Sequence, residues 1–138
     1  MANVHNDGIL PVTFAADADL SDYQYYAVMP ASTAGYVKLA TGASDPFPLG
    51  IVQTDDADTV GDAVPVKMFG ATKAQVSCAV SPVGYGDFLK VSASGDLVVS
   101  GSETVYNARA LEALSSGCGV IEVYWMGAAV SGCVVSAS

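Results

Sequence analysis

Histidine is nearly absent: the chain of 138 residues has one, His5. Ser-His-Asp and Cys-His nucleophile systems need an imidazole to take and return a proton. His5 sits in a polar N-terminal stretch, so catalysis of that kind is not expected. Positive charge is scarce too, with five Lys and Arg against fourteen Asp and Glu and a net charge of −9. Nucleic-acid affinity comes mainly from cations that displace counterions at phosphates, and this composition argues against DNA or RNA binding. Charged residues make up only 14% of the chain and apolar residues 51%, unlike a disordered acidic segment. No C-x-x-C pair occurs among Cys78, Cys118 and Cys133, which argues against a zinc ribbon or a thioredoxin-like site. The three read as small buried free thiols. Whether Cys118 and Cys133 pair outside a reducing compartment stays open.

Uninterrupted apolar runs are also missing. Residues 117–135 are the greasiest stretch, yet they carry Glu122 and several Gly and Ser, so they read as a strand plus a tail rather than a membrane span. Residues 1–8 lack both the basic and the apolar part of a secretory signal. Phosphate-binding loops are not found: Gly84/Gly86 and Gly117/Gly119 fail to continue to G-x-G-x-x-G, because Leu89 and Glu122 take the third positions. G-x-S-x-G and S-x-x-K are absent as well. Asp17-Ala-Asp-Leu-Ser-Asp22 resembles the opening of a calcium loop. Asp22 nevertheless replaces the required glycine, and Val28 stands where a bidentate Glu belongs. This cluster and Asp55-Asp-Ala-Asp58 read as solvated turns. No cofactor and no metal are expected.

What is abundant is valine, twenty residues against eight Leu and three Ile. Val is stiff at χ1 and suits a pleated sheet better than a helix. Short apolar stretches between Gly, Pro, Ser, Asn and Asp clusters predict strands at 10–14, 25–29, 36–40, 49–53 and 63–69. Further strands are predicted at 72–80, 87–91, 97–100 and 120–126. Pro65 cannot donate to a ladder, which places its strand at an edge or Pro65 at a strand start. The stretch 120–126 alternates less cleanly and could be buried on both faces. One segment departs from period two: Ser102 to Leu114 is rich in helix formers, with Ser102 as N-cap and Gly117 as C′ residue. It predicts one short helix over about 104–115. The fold class is mainly β, a small barrel-like or sandwich-like domain of eight or nine strands with that helix. No internal repeat is visible. The chain divides into an N-terminal arm (1–10), a single β-rich domain (11–126) and a small apolar tail (127–138). A neighbouring chain is expected to tie the tail down.

Tyr23, Tyr25 and Tyr26 form an aromatic run that fits either a contact surface or packing over a strand edge. Tyr124 and Trp125 adjoin the apolar tail and lean toward a contact surface.

The order of several segments carries a resemblance. Pro11-Val-Thr-Phe14 precedes an Ala/Asp stretch and Leu20-Ser21, and Pro48-Leu-Gly-Ile-Val-Gln53 follows. Then come Ala57-Asp-Thr-Val-Gly-Asp-Ala-Val-Pro-Val66, Gly70, and Val83-Gly-Tyr-Gly-Asp-Phe-Leu-Lys-Val91. Ala108-Arg-Ala-Leu-Glu-Ala113, Gly117 and Val120-Ile-Glu-Val123 close the series. Together they resemble the small capsid decoration, or cement, proteins of tailed bacteriophages, over about residues 11–126. Asn107 stands where that family often has Gly before its Ala-Arg helix, and the tail departs as well. The resemblance implies a non-enzymatic homotrimer on the outer capsid surface of a virion, made in the host cytoplasm. It would sit at three-fold or quasi-three-fold sites and clamp the major capsid protein of the expanded shell, without nucleic acid or membrane as partner. Edge strands could accept a terminal strand from a partner, and three protomers would add avidity. The contact candidates are Val4, His5, Ile9, Leu10, Tyr23, Tyr25, Tyr26, Tyr124, Trp125 and Val130. Two other classes remain: a different virion module, such as a tail-tube or fibre-base protein, and a small carbohydrate-binding β-domain.

Overall fold

In a computed structural model, residues 10–42, 48–77, 82–100, 106–115 and 118–129 are described. They form ten strands: β1 (Val12–Ala16), β2 (Ala27–Pro30), β3 (Tyr36–Leu39), β4 (Gly50–Val52), β5 (Ala63–Lys67), β6 (Gly70–Val76), β7 (Phe88–Val91), β8 (Leu97–Val99), β9 (Tyr106–Ala110) and β10 (Gly119–Ala129). All nine predicted strands have a counterpart among these ten, with shifted ends. Valine supplies much of the interior, where Val28, Val37, Val52, Val64, Val66, Val76 and Val123 are fully buried. That is where stiff branched side chains pack best on a pleated surface.

The strands close into two small barrels, in the orders β1-β3-β2-β4-β5 and β10-β6-β8-β7-β9. In the first, β1 runs parallel to β3 and antiparallel to β5, and β2 links β3 to β4 by antiparallel pairing. Antiparallel pairing of β4 with β5 completes it. In the second, β6 runs parallel to β8 and antiparallel to β10. There β7 links β8 to β9, and β9 returns to β10. The second barrel therefore repeats the first, strand for strand, although the sequence shows no repeat. The duplication is one of topology, in strand order and pairing sense.

Three sequence expectations are corrected. No helix occurs among the described residues, and Tyr106–Ala110 of the expected helix form β9 instead. Helix propensity is a weak prior that tertiary context overrides. Here β9 closes the second barrel between β7 and β10, and without it both neighbours would expose unpaired backbone. Asn107, at the expected start of the helix, is fully buried. Its Oδ1 accepts from the Val91 backbone N–H at 2.9 Å and its Nδ2 donates to the Gly127 carbonyl at 3.0 Å, so one amide side chain ties β9 to both flanking strands. The proposed caps Ser102 and Gly117 lie outside the described residues. The second correction concerns Pro65, whose strand is paired on both sides rather than at an edge. The Pro65 carbonyl accepts from the Gln53 N–H at 2.9 Å, just past the end of β4. Proline cannot return a bond to Gln53, and the Gln53 carbonyl accepts instead from Gln24 Nε2 at 3.2 Å. Third, β10 buries one face only: Ile121, Val123 and Trp125 point inward while Val120 and Tyr124 point out. It also runs to Ala129, past the expected end of the strand at 126, with a register shift between Trp125 and Ala129 around the positive-φ Gly127.

The barrels share a core. Ala27, Met29, Ala40 and Ile51 of the first cluster with Leu89, Leu97, Ile121, Val123 and Trp125 of the second. Trp125 is fully buried, and its Nε1–H donates to the Leu49 carbonyl at 3.3 Å. Three further bonds cross the joint: Ala27 N–H to Gly95 O at 2.9 Å, Gln75 N–H to Tyr25 O at 3.0 Å, and Gln53 Nε2 to Thr72 Oγ1 at 2.9 Å. Tyr25 holds a left-handed φ of 72° at this joint, a conformation that costs a side-chain-bearing residue about 1–2 kcal/mol. Gly95, with φ 88°, presses against the Leu39 side chain, where a Cβ would lie 2.7 Å from Leu39 Cδ1.

Candidate interaction surfaces

The contact candidates scatter over the molecule. Leu10 is 81% exposed at the start of the described chain. Tyr23, Tyr25 and Tyr26 are all half-buried. Tyr25 packs against the shared core and Tyr23 against the first barrel's own core, while Tyr23 and Tyr26 meet edge to face at 5.1 Å between centroids. The packing reading therefore describes much of this run. Burial raises the Tyr26 phenol above its usual range, with the nearby Asp96 charge adding to the effect and Tyr23 a further increment. Trp125 joins the barrels and presents no free surface, whereas Tyr124 beside it is exposed. Val4, His5, Ile9 and Val130 lie outside the described residues. Cys118 corrects the free-thiol expectation, being exposed and disulfide-bonded at the outer end of the β6–β10 ladder. Cys78 and Cys133 fall outside the described residues.

The second barrel carries an aromatic row on its outer face. Phe69 and Tyr124 form an edge-to-face pair, 5.5 Å between centroids. Tyr124 lies opposite Arg109 across the β10–β9 ladder, and Arg109 lies opposite Phe88 across β9–β7. The guanidinium carbon sits 4.9 Å above the Phe88 ring centroid. Phe88 meets Tyr106 at 4.5 Å, which extends the row along β9. Phe69 is 48% exposed and Tyr124 37%. Arg109 Nε donates to the Gly86 carbonyl at 2.9 Å. Stacking on Phe88 and this bond fix the guanidinium plane, while among the described residues nothing accepts from its Nη groups. An arginine held in this way is a pre-organised fork for a carboxylate.

Sequence reasoning missed Phe69, Phe88, Tyr106 and Arg109, because they meet only through strand register. Assigning 104–115 to a helix hid the meeting of Arg109 with Phe88 and Tyr124. The usable signal was the alternation of Tyr106, Ala108 and Ala110.

The first barrel carries the acid. Asp17, Asp19 and Asp22 lie on one turn, and Asp55, Asp56, Asp58 and Asp62 on the β4–β5 loop; all but the half-buried Asp62 are exposed. The turns are tied together by Leu20 N–H to Ala57 O and by Gly61 N–H to Ala16 O, both at 2.8 Å. Within the cluster Asp19 accepts from the Ser21 hydroxyl at 2.6 Å and the Ser21 N–H at 2.9 Å. The hydroxyl chiefly, and the backbone bond after it, hold that carboxyl below its usual range. Residues 10–67 thus show seven described carboxylates against Lys38 and Lys67, while residues 68–129 show four against Lys73, Lys90 and Arg109. Among the described residues the acid is concentrated on the first barrel.

Among the described residues no group of three or more His, Cys, Asp or Glu side chains is placed to hold a metal ion. No helix among them is long and apolar enough to cross a membrane. No protein-family model matches the sequence, and no curated protein matches it either.

Proposed function

We propose that the chain is a non-enzymatic structural protein of a tailed-phage virion that binds the outer surface of the capsid as a trimer and stabilises the expanded shell. One observation carries this reading: the strand segments that resemble decoration proteins fall, in order, on or beside β1, β4, β5, β7 and β10, while the segment that resembles the family's closing helix departs from it by forming β9. Two further features support it. Short strands closed into barrels leave few free edges, which suits a protein displayed at high density. Exposed apolar side chains occur on both barrels, with Leu10, Val12 and Val60 on the first and Phe69, Tyr85 and Tyr124 on the second. Of these, Phe69 and Tyr124 touch, and apolar side chains grouped at a surface mark interaction sites.

The test is co-sedimentation. Purified chain is added to expanded capsids of the parent phage that lack it, and to isolated tails of the same phage. Saturable binding to capsids and not to tails supports the reading. Binding to tails alone would favour a tail module and overturn it.

A further inference from the structure

A ring of three identical chains has interfaces that join two different patches on each chain, never one patch to itself. The proposed trimer therefore needs a complementary pair of surfaces. We propose that the chain assembles head to tail, with the acidic loop 54–62 of the first barrel in one copy seated on the aromatic row of the second barrel in the next.

The two surfaces match in chemistry. The row offers the rings of Phe69 and Tyr124 beside the fixed Arg109 fork. The loop offers Val60, 62% exposed, between Asp58 and Asp62. An apolar side chain flanked by carboxylates fits a ring pair flanked by a guanidinium: Val60 against the rings, Asp58 on the Arg109 Nη groups. Row against row would bring Arg109 toward Arg109, and loop against loop would bring carboxylates together, so charge disfavours both symmetric pairings. Nor can one copy serve itself. The loop precedes β5 and Phe69 follows it, which separates them by a strand of about 17 Å. Hydrogen bonds to the 16–20 turn hold the loop at the far end. A closed ring of three would then alternate first and second barrels around its circumference.

The inference rests on the trimer part of the proposed function, and sedimentation equilibrium of the purified full chain separates the two. Wild type is expected at about three times its 14.0 kDa mass, and less so at 0.5 M than at 0.05 M NaCl, because the contact is partly ionic. Arg109→Glu and Asp58→Arg, each alone, are expected to raise the concentration of half-dissociation about thirtyfold or more, as central contacts do. The two together in one chain should recover most of that loss, since every interface then regains one cation and one carboxylate. Val60→Ser, at an exposed loop site, should weaken assembly without touching either charge, and far-UV circular dichroism checks that each variant is folded. A trimer unaffected by these changes, or no recovery in the double variant, overturns this inference and leaves the trimer standing. A monomer at all concentrations, or a symmetric dimer, overturns both.

Discussion

Trp125 is the side chain on which the union of the two barrels most depends, and its removal has a calculable cost. The indole is fully buried between β10 and the first barrel, and its N–H reaches the Leu49 carbonyl at 3.3 Å. A buried Trp takes roughly 200 Å² out of water. At about 25 cal/mol per Å² that is about 5 kcal/mol, in line with the roughly 3–5 kcal/mol of Trp→Ala substitutions elsewhere. Loss of the hydrogen bond adds about 1 kcal/mol. Domains are stable by only about 5–15 kcal/mol, so Trp125→Ala should leave the chain barely folded. Trp125→Phe keeps part of the apolar volume and should cost about 2 kcal/mol. In urea, with a slope of about 2 kcal/mol per M, the Phe variant should melt about 1 M lower by far-UV circular dichroism. Trp125 is the single tryptophan, so wild-type fluorescence reports the joint alone while dichroism reports all ten strands. The two transitions should coincide if one core serves both barrels. A Trp125→Ala variant within about 1 kcal/mol of wild type would refute the reasoning. Two separated wild-type transitions would do the same.

Other predictions test single features of the fold. Gly50→Ala would put a Cβ 2.2 Å from the Lys67 carbonyl oxygen and 2.8 Å from Val66 Cγ1. Backbone cannot yield there, so the β4–β5 pairing should break and stability fall by several kcal/mol (about 3 or more), read as a lost or strongly lowered melting transition. Asn107→Ala strands the Val91 N–H and the Gly127 carbonyl. It should cost about 2–5 kcal/mol by urea denaturation, whereas a β9 that contributed nothing to barrel closure would tolerate it. The Tyr26 phenol is raised above its ordinary value near 10, first by burial and then by Asp96. A folded-state value above the unfolded one contributes stability that is complete below about pH 10 and is lost as pH climbs through the raised value. Absorbance titration at 295 nm should show Tyr26 among the last tyrosines to ionise, and Asp96→Asn should bring it down. No movement in that variant would contradict the Asp96 contribution.

The sheet was legible in the sequence because period two survives in short stretches. The run Gly70-Ala-Thr-Lys-Ala-Gln-Val76 buries every second residue, as an alternating strand must. Strand positions followed from valine and from turn residues, but strand partners did not, since β1 pairs with β3 and β5 through contacts far apart in the chain. That is why a barrel-like β domain was legible but its division into two closed barrels, and the repeat of one topology in the other, were not. β9 was misread because Ala-Arg-Ala-Leu-Glu-Ala has local helix preference, and only the gap between β7 and β10 requires a strand there. Trp125 looked like a contact residue because it adjoins an apolar tail, yet its alternation with Tyr124 turns it inward. The acidic turns needed no partners to be recognised: Asp17–Asp22 and Asp55–Asp58 were expected in solvent, and the described carboxylates there are exposed.

The charge that argues against a grip on nucleic acid also distinguishes one barrel from the other, and the proposed role uses both barrels. Cryo-imaging of the parent particle with and without this chain tests that role most directly. The account predicts added density at three-fold or quasi-three-fold positions on the outer shell, in three lobes per site, absent from particles that lack the chain. Identical shells with and without it, or added density confined to the tail, would contradict it.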